Sequence, residues 1–87
     1  MDFTTLCDRF PALESLRNQA RQAGRASGTN WYAEWAERCH LVRDVSLRVA
    51  QAVDIDARQI VGLVRNGLID AYAVERQRER RRERRPA

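Results

Sequence analysis

Lysine is absent from this 87-residue chain, so all sixteen of its basic side chains are arginine. The usual solubilising cation is therefore missing, and what remains is the planar guanidinium that suits bidentate contacts to phosphate and carboxylate. A GC-rich coding sequence gives the same bias. Cysteine is limited to Cys7 and Cys39 and histidine to His40. That inventory cannot complete a four-ligand zinc set. Two thiols this far apart in a cytoplasmic chain are expected to be reduced core residues and not a disulfide. Nothing after Asp2 forms an apolar run long enough for a signal peptide or a membrane span, so the expected location is the cytoplasm, with no membrane partner. No glycine-rich phosphate loop is present, and no Ser-His-Asp or Cys-His pairing falls at usable spacing. The expectation is a non-enzyme without metal or cofactor.

Strand signals are scarce as well. Apolar residues recur at helical spacing almost throughout, which makes the expected fold all-α, a small bundle of three to four helices. With four Gly, two Pro and 32% charged residues, the chain reads as globular. A body of this size buries only about 60% of its unfolded surface, which leaves room for a homodimer or a host complex to supply stability.

Thr5 with Asp8 resembles a capping box, and Phe3, Leu6, Phe10, Leu13, Leu16, Ala20 and Ala23 then recur every three or four residues. Pro11 suits a first helical turn, giving a short turn near 4–10 and a helix over about 11–23. Gly24 to Thr29 reads as a linker, and Asn30 as an N-cap. The stripe Trp31, Trp35, Cys39, Val42, Val45, Val49 and Ala52 predicts a helix over about 31–52. Asp56 and Gln59 form a second capping box, and Ile60, Leu63 and Val64 fill an inner face. Asn66-Gly67 is the expected left-handed stop. A short hairpin near 68–74 is the best strand candidate, and a last helix can start near Asp70.

The segment from Leu47 to Val64 resembles the helix-turn-helix of DNA-binding regulators. Ala50 supplies the small residue at the crossing, Val49, Val53 and Ile55 the apolar anchors, and Ile60 with Leu63 the inward pair of the second helix. The turn residue, usually Gly, is Asp54, which tolerates the left-handed conformation better than most. From Val64 to Val74 the chain looks like the segment that follows the recognition helix in excisionase and MerR-type domains, where a wing would stand. Its second strand would be Glu75-Arg-Gln-Arg-Glu79, which has helix propensity and no β-branched residue. The resemblance covers about 47–74. It implies Arg58, Gln59, Gly62 and Arg65 as outward residues, with Arg58 and Gln59 able to read guanine and adenine edges and Gly62 allowing close backbone approach. Two ordinary packed helices joined by a tight turn would give the same pattern.

Residues 1–74 hold nine Arg and nine acids, and 75–87 hold seven Arg and three, so the formal +4 sits on the tail. The chain divides accordingly into a helical domain at 1–74 and an arginine-rich tail at 75–87. On a helix, Glu75, Glu79 and Glu83 form one stripe, Arg76, Arg80 and Arg84 another, and Arg78, Arg82 and Arg85 a third, with Arg81 between them. Arg76 with Glu79, and Glu79 with Arg82, would partly satisfy each other. Such a tail either grips a polyanion or solubilises the chain. Tyr32 points away from the Trp31–Trp35 face and is the candidate protein contact.

Taken together, these features describe a small DNA-binding regulator or accessory factor of a phage or mobile element, with a helix-turn-helix and an auxiliary arginine tail. Two alternatives stand beside it. One is a helical protein-interaction module, such as a phage-encoded inhibitor of a host defence complex. The other is an RNA binder whose tail reads groove shape.

Overall fold

The computed structural model describes residues 1–26 and 31–84, with side chains over 1–26 and 40–82. Four helices make up this all-α fold: α1 (Phe3–Arg9), α2 (Pro11–Arg25), α3 (Trp31–Val53) and α4 (Ala57–Arg84). No strand occurs among the described residues.

Local chemistry sets each start. Asp2 caps α1, its carboxylate accepting the Thr5 N–H at 2.8 Å. The expected Thr5–Asp8 box is therefore displaced by a cap one turn earlier, and Asp8 is exposed. Pro11 opens α2 as expected, at a position where its missing N–H costs no intrahelical bond. That helix runs to Arg25 and so absorbs Gly24, the first residue of the expected linker. Residues 27–30, including Asn30, lie outside the described residues.

The turn from α3 to α4 is a Schellman-type stop. Asp54 takes a positive φ of 55°, and the Ile55 N–H donates to the Ala50 carbonyl at 3.2 Å. Asp56 then caps α4, its side chain accepting the Arg58 N–H at 2.8 Å.

Leu6, Cys7, Leu13, Leu16 and Ala20 from α1 and α2 meet Val49 and Ala50 from α3 and Ile60, Val64 and Leu68 from α4 in one core. Each fully buried aliphatic side chain contributes about 1.5–3 kcal/mol. Gly24 lies against Tyr72 and Glu75. The thirteen helical residues before it span about 20 Å, and the start of α2 at Pro11 and Ala12 lies beside Val45, Arg48 and Val49, near the turn from which α4 begins. So α2 runs along α4 in the same direction.

Three expectations change on packing. Ala52 is exposed, and Ser46 takes the inner position in α3, its hydroxyl donating back to the Val42 carbonyl at 2.7 Å. Among the apolar residues at 60–64, Ile60 and Val64 are the buried pair, with Leu63 at the margin. The chain does not stop at Asn66-Gly67. A Cβ on Gly67 would overlap the Phe3 ring, so this glycine is a contact point inside a continuous helix. Leu68 is buried and Ala71 and Tyr72 pack on the core, which offsets the roughly 1 kcal/mol that a mid-helix glycine costs. The hairpin expected at 68–74 is therefore helical, and the junction expected at 74/75 falls inside α4. At 28 residues that helix is about 42 Å long, in a body measuring 51 × 25 × 18 Å.

Candidate nucleic-acid interface

Continuity of α4 decides where its charges point. Ile60, Val64, Leu68 and Ala71 face the bundle, and Glu75 follows on the same side at the next step of four. Glu75 is buried. Its carboxylate accepts the Arg25 Nε at 3.1 Å and the Arg78 Nη1 at 3.2 Å. These hydrogen bonds, that from Arg25 foremost, hold the Glu75 carboxyl below the usual carboxylate range, and the same bond raises Arg25. Glu79 sits at the margin with Arg82 at 3.5 Å. Of the pairs expected on the tail, Glu79 with Arg82 forms, and Glu75 takes Arg78 on its own helix.

The opposite face is reached from Arg58 by steps of three or four through Gly62, Arg65, Ile69, Ala73, Arg76 and Arg80. Arg58, Arg65 and Arg80 are exposed along it, while Gln59 and Arg81, also exposed, stand on the flank that carries Asp70. Nothing within 4 Å would meet a Cβ on Gly62, so the backbone there is open to approach. No carboxylate of α4 up to Arg82 falls on that face, since Asp70 lies on a flank and Glu75 and Glu79 turn toward α2.

The remaining predicted residues divide. Arg76 is half-buried, and its Nη1 is enclosed with no hydrogen-bond partner among the described residues. Arg78 is exposed but spent on Glu75, and Arg82 is exposed beside Glu79. Arg84 and Arg85, like Tyr32 and the Trp31, Trp35 and Cys39 side chains, lie outside the described side chains. His40 is exposed, as its place off the apolar stripe predicts. Cys7 is buried, and desolvation pushes its thiol up. Among the described residues, no three His, Cys, Asp or Glu side chains gather to hold a metal ion, and no helix is long and apolar enough to cross a membrane.

A second basic surface went unread in the sequence. Arg17, Arg21 and Arg25 lie at steps of four on α2 and, with Arg78, line an open groove of about 610 Å³ between α1, α2 and α4. The repeat itself was the available signal. It is hidden by Glu14 and by the apolar stripe that organises the same helix.

The architecture is thus an all-α bundle of four helices with one long helix carrying both the turn-adjacent residues and the arginine-rich end. No family model, curated protein or solved structure matches the chain.

Proposed function

We propose that the protein binds nucleic acid, duplex DNA in preference to RNA, through the outward face of α4, as a small regulator or accessory factor. The observation that carries this reading is the sorting of charge on α4. Glu75 and Glu79 are turned toward α2 or the helix margin, while Arg58, Arg65 and Arg80 stand on a face with no carboxylate from the start of the helix to Arg82. A solvated solubility helix has no need of such sorting, whereas a surface that neutralises phosphates does.

The turn favours the duplex reading. Asp54 is left-handed, Ala50 is buried at the crossing, and Val53 and Ile55 pack on the core, as a helix-turn-helix requires. Arg58, Gln59 and Arg65 then read base edges, and Arg80 and Arg81 hold the backbone at the far end of the same rod. A mobile-element role would draw on a winged segment, and residues 68–74 are helical, so the proposal does without it.

The test is a gel shift with random duplex at low and moderate salt. Truncation after Tyr72 or Val74 is a poor probe, because it also removes Glu75 and its tie to α2. Arg80→Gln with Arg81→Gln leaves that tie intact. It should weaken binding and flatten the salt dependence by roughly 0.9 in slope per lost phosphate contact. Arg58→Ala should lower sequence discrimination more than non-specific affinity. No shift at low salt would transfer the case to a protein-interaction module, with the exposed Leu41 and Leu47 of α3 as its first candidates.

A further inference from the structure

The groove between α1, α2 and α4 is on a different side of α4 from the face assigned to nucleic acid. Its α2 wall is the row Arg17, Arg21 and Arg25, three like charges at successive steps of four. Such a row is unfavourable on a bare helix. Two of its members are relieved internally: Arg17 contacts Glu14, and Arg25 is bonded to Glu75. Arg21, half-buried between them, has no carboxylate within ion-pair distance among the described residues. The Arg17 Nε is enclosed, without a hydrogen-bond partner among the described residues, and its Nη2 is held by Glu14, which leaves Arg21 as the groove's available guanidinium.

The rest of the lining is selective. Phe3, Ala71 and Val74 give the groove an apolar side, and Val74 is 48% exposed within it. Four arginines line the groove with three carboxylates, Asp2, Asp70 and Glu75, and Glu14 pairs with Arg17 beside it, so the charges balance and Arg21 is the lining arginine left without an ion pair among the described residues. Asp2 is committed to the Thr5 N–H and Glu75 to two arginines, while Asp70 would repel a multiply charged guest. A volume of about 610 Å³ fits a small organic molecule.

We propose that this groove is a binding site for a small organic monocarboxylate, its carboxylate taken by Arg21 and its apolar body laid on Phe3, Ala71 and Val74. The planar guanidinium of Arg21 matches the two oxygens of one carboxylate, and a lining whose charges balance disfavours polyphosphates. Because the groove joins α1 and α2 to α4, its occupant ties the three helices together and stabilises the fold by mass action.

The experiment is a titration of the full chain with benzoate and with octanoate, followed by amide NMR shifts and thermal melting. Benzyl alcohol, inorganic phosphate and pyrophosphate serve as comparison probes. Saturable shifts at Thr4, Arg21, Ala71 and Val74, with a raised melting temperature for the carboxylates alone, are the expected result. Arg21→Gln should weaken carboxylate binding about tenfold, the loss of one charge-assisted hydrogen bond. Val74→Glu, at an exposed position, should abolish it while leaving the helical circular dichroism unchanged. Equal responses to phosphate and benzoate, shifts confined to the outward face of α4, or unchanged binding by Arg21→Gln would each overturn the proposal. DNA binding does not enter any of these readouts, so the two assignments stand or fall separately.

Discussion

Arg25 at the end of α2 donates its Nε to the Glu75 carboxylate at 3.1 Å, tying together residues fifty positions apart. The pair sits beside Gly24, where α2 and α4 make backbone contact. It agrees with the rotation that the buried Ile60, Val64 and Leu68 set for α4, in which Glu75 meets α2 while Arg58, Arg65 and Arg80 meet solvent.

The pair makes stability depend on acid. Glu75 has its pKa depressed by folding, so its contribution is fully present above the ordinary carboxylate value of about 4.3 and is lost as the pH falls through the lower folded value. Thermal melts of the protein and of Glu75→Gln should differ by a constant amount from pH 7 down to about 4.5. Below that the two curves should converge; parallel curves down to pH 2 would remove Glu75 from the acid response.

Gly24 of α2 and Gly62 of α4 should respond to alanine in opposite directions. A Cβ at Gly24 would come within 2.5 Å of the Tyr72 carbonyl oxygen, so Gly24→Ala should destabilise by about 1–3 kcal/mol despite its better helix propensity. Gly62 has open space around it, and Gly62→Ala should stabilise by about 0.5–1 kcal/mol. If Gly62 admits a nucleic-acid backbone, the same variant should bind duplex more weakly while melting higher. Urea unfolding and a gel shift on one preparation measure both.

Asp54 should be improvable. Its φ of 55° is left-handed, which glycine adopts without a side-chain penalty, so Asp54→Gly should gain a few tenths to about 1 kcal/mol. Asp54→Val should lose at least as much, because a β-branched side chain resists that conformation. Chemical denaturation ranks the three; a valine variant as stable as the parent would mean that the turn can be rebuilt.

Leu13 tests whether α2 is the centre of the bundle. It is fully buried among residues from the other helices, and Leu13→Ala should cost about 2–5 kcal/mol, a large share of the stability of so small a domain. A loss under about 1 kcal/mol would mean that the site collapses around the smaller side chain.

Local chemistry written in the sequence determined the fold class, the start of α2 at Pro11, the long α3, the turn at Asp54 and the cap at Asp56. Each depends on residues within one or two turns, where spacing and capping preferences act directly. It also determined that Arg58 and Arg65 would share an outward face, because helical period alone sets that.

Tertiary structure decided the rest. Asn66-Gly67 carries the local signature of a helix stop, yet the ring of Phe3 occupies the space beside Gly67 and the burial of Leu68 keeps the helix going. Glu75 reads as one charge in a mixed tail until Arg25, fifty residues earlier, supplies its partner. Alternating charges along a chain do not say which sign will face inward. A distant arginine and one long helix packed on α2 do.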